Sequence, residues 1–181
     1  LNRETFISRR GGSLALLRLG IEMPPGIVAF EDPPTHTIHR KLLSRMFTPR
    51  RVAELEPEIR QMCDELLDPL VGSDGFDLIE EIGRQVPMRV ISKLVGIPES
   101  DQESIRDQFG ASLQDDQIQE HQLTGEKFAE YIDWRAEHPS DDIMTQLMYV
   151  EFEDETGTTR RLTRSELLAY VNLVAGAGNE T

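Results

Sequence analysis

Along most of the chain apolar residues return every three or four positions, the spacing of one face of an α-helix. The clearest case is residues 163–181, where Leu167, Leu168, Val171, Val174 and Ala175 form the stripe. Residues 50–71 carry a second stripe of Val52, Leu55, Ile59, Met62, Leu66 and Leu70, with Cys63 beside Met62 at its boundary. Cys63 reads there as a small buried or half-buried apolar residue. Further helices are predicted over 33–47, 78–95, 99–112, 121–137 and 141–150, and Pro57 is expected to kink or divide the helix over 50–71. Period-two alternation is never long enough for a useful strand, so only short β or irregular pieces are expected, near 74–78 and 151–162. The fold class is therefore mainly α with short β pieces.

Several helix starts are marked by chemistry. Thr163-Arg164-Ser165-Glu166 reads as a capping box, in which hydroxyl and carboxylate reciprocally satisfy free backbone N–H groups. Asp32 can cap a helix whose first position is Pro33, where a missing N–H costs nothing. Ser140 reads as a cap, with Asp141 and Asp142 as first-turn acids that complement the helix dipole. The acidic run Glu151-Phe152-Glu153-Asp154-Glu155 before Gly157 reads as a solvated turn.

The last helix ends unusually, in Ala175-Gly176-Ala177-Gly178-Asn179-Glu180-Thr181. Glycine costs a helix interior about 1 kcal/mol relative to Ala, so two glycines before an acid and a threonine need a reason. They either open a groove against which another body lies, or serve ordinary helix packing and capping. His36 and Arg40, four residues apart, share one helix face. A guanidinium beside an imidazole suits a carboxylate presented from outside the helix; a solvated Arg and a surface His are the plain alternative. His36 and His39 cannot both point along that face, and no Cys or carboxylate cluster completes a site, so side-chain metal binding is not expected.

Composition narrows the function class. With 38% hydrophobic residues, ten prolines and a net charge of −14, the 181 residues read as a single globular domain or a large piece of one. The acidity argues against a nucleic-acid partner, which needs a concentrated basic face. One local exception exists: Arg40, Lys41, Arg45, Arg50 and Arg51 fall within twelve residues that hold no acid. No run approaches the ~20 apolar residues of a membrane span, and one Cys gives no disulfide framework, which favours a reducing, cytoplasmic setting. Leu1 stands where an initiator Met would, and Leu1 to Arg10 lack the order of a secretion signal, so a fragment is expected.

Four landmarks together resemble a known family. Ala177-Gly178-Asn179-Glu180-Thr181 is similar to the A-G-x-[DE]-T signature in the central helix of the cytochrome P-450 superfamily, the haem-thiolate monooxygenases. Glu31-Asp32-Pro33-Pro34-Thr35-His36-Thr37-Ile38-His39-Arg40 and Phe47-Thr48-Pro49-Arg50 resemble its D-P-P-x-H-x-x-x-R and F-[ST]-P segments around the third helix. Leu94-Val95-Gly96-Ile97-Pro98 with Asp101 resembles its L-x-G-[IV]-P-x-x-D turn, and Pro139-Ser140-Asp141-Asp142-Ile143 its P-x-D-D-[IL] helix start. The order and spacing match the soluble bacterial members.

The resemblance implies the N-terminal and central part of the P-450 fold, a haem b cofactor, and insertion of one oxygen atom from dioxygen into an apolar small-molecule substrate. His36 and Arg40 would then hold haem propionates, Ala177 and Gly178 lie against the macrocycle, and Thr181 and Glu180 serve oxygen activation and proton delivery. A ferredoxin or flavin-type electron donor would dock near Lys41, Arg45, Arg50 and Arg51. The family's thiolate loop F-x-x-G-x-x-x-C-x-G and its E-x-x-R helix do not occur in these residues, so the iron ligand is expected outside this chain. Substrate selection in the family falls on stretches corresponding to Gly11–Ile27 and Ala111–Leu123; Leu14, Leu16, Leu17, Leu19, Ile21 and Met23 suit an apolar substrate or an ordinary packed loop. Two other readings of the chain by itself remain: an inactive helical remnant that binds haem or a hydrophobic ligand, and an acidic helical scaffold.

Overall fold

A computed structural model describes residues 5, 7–12, 14–20, 23, 25–105 and 125–179. Its helices are α1 (Leu14–Leu19), α2 (Thr35–Met46), α3 (Pro49–Leu67), α4 (Gln85–Val95), α5 (residues 99–105), α6 (Ala129–Glu137), α7 (Ile143–Tyr149) and α8 (Arg164–Asn179). A two-stranded antiparallel ribbon, β1 (Phe152–Glu153) and β2 (Thr159–Arg160), sets Phe152 opposite Arg160. Among the described residues this is the only sheet, and no helix is long and apolar enough to cross a membrane. The expected helical stretches 106–112 and 121–124, and the possible substrate segment 111–123, lie outside the described residues.

α8 is the axis of the core. Leu167, Leu168, Tyr170, Val171, Val174 and Ala175 are buried, and α4 packs along them with Met88, Ile91 and Val95. The capping box forms as expected: the Thr163 N–H donates to Glu166 Oε2 at 2.8 Å, and the Glu166 N–H donates to Thr163 Oγ1 at 3.2 Å. Two landmark segments meet in one staple. Gly96, at φ +91°, ends α4 in the left-handed conformation that glycine adopts without strain. Its carbonyl accepts from Arg135 Nη2 at 2.9 Å, while Arg135 Nε lies 2.8 Å from Asp142 Oδ2, both side chains nearly buried. A Cβ at Gly96 would overlap the Asp142 carboxylate.

Several local expectations are corrected. The Asp32 carboxylate does not cap α2, which begins at Thr35; it accepts the backbone N–H of Ser8 at 2.8 Å and of Arg9 at 3.4 Å. Pro33 and Pro34 have no N–H to offer a cap, which frees Asp32 to pin the N-terminal segment. Asp142, not Ser140, caps α7, accepting the Thr145 N–H at 2.7 Å and the Ser140 hydroxyl at 2.7 Å. Residues 74–77 are irregular, one of the two expected forms, and Asp77 Oδ1 accepts from the Ile79 and Glu80 N–H groups to start a π-helical turn, Ile79–Gly83, before α4. Pro57 does not divide α3, because Ala53, whose carbonyl it leaves unpaired, lies on the exposed side where water can serve it. A short helix, α1, lies inside the stretch expected to be loop, with Leu16 buried.

The apolar stripe of α3 is only half-buried, and none of that helix's residues is buried. Phe47, Val52, Ala53, Ile59 and Cys63 line an open groove of about 920 Å³ along it.

The ribbon is tied to α8 by charge. Arg160 grips Glu166 with two bonds of 2.8 and 2.9 Å and reaches Asp154 at 3.0 Å. Burial is the largest single influence on the Glu166 carboxyl and pushes it up, but the bonds from Arg160 and Thr163 together hold it below the usual value. Asp154 is lowered to about 2, foremost by the Thr156 hydroxyl at 2.6 Å.

Two consequences are measurable. Arg135→Ala leaves the Asp142 carboxylate buried and unpaired and is expected to cost about 3–5 kcal/mol, read as a lower urea midpoint at unchanged slope; a loss within ~0.5 kcal/mol would contradict the staple. Both carboxyls titrate lower when folded than unfolded, so their stabilisation is complete above the ordinary values of 4.5 and 3.8 and is lost as pH falls through the lowered ones, about 2 for Asp154. Arg160→Gln should flatten the fall in urea midpoint across that window, and identical acid profiles for variant and parent would refute the assignment.

Candidate functional site

α2 has two flanks. His39, Leu42 and Met46, spaced three and four apart, turn into the core and are buried. His36, half-buried, and Arg40, exposed, stand one turn apart on the other flank. Among the described residues no carboxylate pairs with either of them. Lys41 and Arg45 are exposed and likewise unpaired among the described residues. The basic island is smaller than the sequence implied, because Arg50 pairs with Glu54 one turn on at 2.9 Å. Arg51 reaches across to Asp141 at 3.0 Å and Gln146 at 2.6 Å at the start of α7.

At the end of α8 the two small residues differ. Ala177 is exposed, whereas Gly178 is half-buried against α4. A Cβ built on Gly178 would lie 2.5 Å from Ile91 Cγ1 and 2.8 Å from Ile91 Cβ, so the notch is filled by that side chain. The open groove expected at Gly178 is thus closed on its Cα face, and the glycine lets α4 and α8 approach; the exposed small surface is at Ala177. Glu180 and Thr181 lie outside the described residues. Among the described residues, no hydrogen bond or ion pair joins the His36–Arg40 pair to Ala177 or Gly178.

One well-connected side chain near this site has no role readable from the sequence. His39 is 1% exposed, and its Nδ1 lies 2.8 Å from both Glu31 carboxylate oxygens. An ionised carboxylate only accepts, so Nδ1 carries a proton. Nε2 faces Glu166 Oε1 at 3.9 Å, too far for a hydrogen bond, and has no other partner. Phe152 and Tyr170 meet the ring edge-on at 5.7 and 5.5 Å. The Tyr170 hydroxyl is pushed up, foremost by burial and then by Glu31 and Glu166. The available signal was a polar residue standing on an otherwise apolar stripe with Leu42 and Met46. Among the described residues no group of three or more His, Cys, Asp or Glu side chains forms a metal cluster.

No protein-family profile matches the chain. It is 35% identical over 158 residues to cytochrome P450 CYP107DY1 of Priestia megaterium, covering 83% of this chain and 37% of that protein. It is 37% identical over 154 residues to cytochrome P450 107B1 of Saccharopolyspora erythraea, again covering 83% and 37%. Vitamin D(3) 25-hydroxylase of Pseudonocardia autotrophica is 33% identical over 162 residues, covering 87% and 39%. Among solved structures, Mycobacterium smegmatis CYP164A2 superposes with a TM-score of 0.75 at 31% identity over 97% of this chain and 46% of that one. Cytochrome P450 CYP109Q5 from Chondromyces apiculatus gives 0.70 at 34% identity over 87% and 39%. The chain therefore spans less than two-fifths of the length of these curated relatives. On identity and fold together it belongs to the cytochrome P450 family and matches the N-terminal and central part of its bacterial members.

Proposed function

We propose that the polypeptide carrying this segment is a haem-dependent monooxygenase that inserts one oxygen atom from dioxygen into an apolar organic substrate, using electrons from a redox partner. The observation that carries this reading is the pair His36 and Arg40, two side chains one turn apart that no carboxylate of the described residues answers, on a helix of a P450 relative. Most other arginines of the described residues have acidic partners, as Arg51, Arg135 and Arg160 do. A ligand with two acid arms fits that pair, and haem b is such a ligand.

When bound, haem supplies the oxidising chemistry. His36 and Arg40 hold its acid arms, Arg40 with a planar fork matched to a carboxylate. Ala177 offers a small, flat contact at the end of α8. Thr181, whose hydroxyl can both accept and donate, and Glu180, whose carboxyl can be resupplied from solvent, are assigned to proton delivery. An apolar substrate class agrees with relatives named for vitamin D(3) and with a related P450 structure that holds testosterone. The exposed cations Lys41 and Arg45 suit an acidic ferredoxin or flavin-type donor, while Arg50 and Arg51 contribute less because their charges are already answered. A reducing, cytoplasmic setting suits the lone Cys63.

The reading is tested on the natural open reading frame that contains this segment. After haem addition and reduction, the carbon monoxide difference spectrum is expected to show the long-wavelength Soret band of thiolate-ligated haem. A thiolate-free haem spectrum would mark an inactive binding remnant, and no haem uptake an acidic scaffold. Donor docking has its own check: the reduction rate should fall with added salt, and fall less steeply in the Lys41→Ala/Arg45→Ala variant. Equal salt slopes would place the donor elsewhere.

A further inference from the structure

The proposed haem-binding pair depends on how α2 is rotated about its own axis. Successive residues turn by about 100°, so the bearing of His39 fixes those of His36 and Arg40. Leu42 and Met46 also bury on that helix, but apolar contact is non-directional and tolerates small rotations. A charge-assisted hydrogen bond does not.

His39 lies where three parts of the chain meet. The Gly26 N–H donates to Glu31 Oε1 at 2.9 Å, and the same carboxylate takes His39 Nδ1 at 2.8 Å. The other ring nitrogen faces Glu166, whose two oxygens are held by Arg160 and Thr163. Gly26 also meets α8 by close packing. At φ +94° it sits so near the first turn of α8 that an added Cβ would lie 2.7 Å from Glu166 Cα. The loop before α2 is thus bonded to the imidazole through Glu31 and packed on the start of α8 through Gly26, and the ring sits between them, walled by Phe152 and Tyr170.

We propose that His39 is a positioning residue for the haem-binding pair: hydrogen-bonded to Glu31 and facing the Glu166 cap, it sets the rotation of α2 that aims His36 and Arg40 at the acid arms of haem. The proposal rests on the assignment of those two residues to haem. It gives His39 a role that its burial alone does not.

The test uses the full-length protein that carries this segment, loaded with haem, and measures the rate of haem loss to an excess of a scavenging globin. Arg40→Ala reports on the pair itself and should speed loss. His39→Leu should speed it by on the order of tenfold, the scale on which outer-shell substitutions act. His39→Asn, whose amide N–H can reach Glu31 from near the place of Nδ1, should restore a rate within about twofold of the parent on that scale. Leu42→Ala, on the same buried stripe, is the control: it should lower the urea midpoint without speeding haem loss. If His39→Leu does not fold, His39→Gln, whose amide sits one bond further out, replaces it with the same expectation. Haem loss in the His39 variant equal to that of Leu42→Ala would overturn the proposal and leave His39 a packing residue. A parent-like rate for Arg40→Ala would overturn the haem assignment, and this proposal with it. A fast Arg40→Ala beside a parent-like His39→Leu would overturn the positioning role alone.

Discussion

The structure is organised around a buried carboxylate in a strongly acidic chain. Glu166 lies in the first turn of the central helix, 5% exposed, in a protein with 33 acids and 19 lysines and arginines. A charge there is tolerable only if answered at short range. Arg160 answers it with a two-pronged grip, the capping box contributes the Thr163 N–H and hydroxyl, and His39 faces it. The two bonded contacts also recruit different pieces of chain: Arg160 brings the β-ribbon and Thr163 fixes where α8 starts, while His39 of α2 stands 3.9 Å away. The placement of the β-ribbon and of the start of α8 thus follows from how one buried acid is neutralised.

A second constraint holds the opposite side. Arg135 on α6 binds the left-handed end of α4 and the cap of α7 at once, so three helix termini share one guanidinium. Arginine suits this because its planar donors can serve a carbonyl and a carboxylate in different directions. The α3 face lacks such fastening. Its ion pairs to α4, Lys93 to Glu58 and Arg89 to Glu65, sit among partly exposed side chains, where pairs contribute little.

Much of this was legible in the sequence because it is encoded locally. The Thr163–Glu166 box, the glycine at the end of α4 and the period of the α8 stripe each depend on neighbours within a turn, and the structure reproduces them. The family landmarks were legible for the same reason, as short runs with fixed spacing. What was missed depends on distant partners. Asp32 reads as a cap until Ser8 is seen to occupy it, and Asp142 as one of two first-turn acids until Arg135 arrives from α6. His39 is meaningful only with Glu31 and Glu166 in place, because a lone histidine on an apolar stripe carries no sign of what it meets. The depth of α3 is not legible for a related reason: a helical period shows that a face is apolar, not that anything covers it.

The contact between Gly178 and Ile91 bears on how this segment can vary. An alanine at position 178 would improve the intrinsic propensity of α8 yet collide with the branched carbon of Ile91. A shorter side chain at 91 would remove the contacts to Cγ1 and Cδ1 but leave Cβ at 2.8 Å, so an alanine at 178 also needs α4 and α8 to move apart. The two sites, 87 residues apart along the chain, thus set the distance at which α4 and α8 cross. The glycine of the helix signature therefore has a packing reason of its own, whatever chemistry stands at the end of α8.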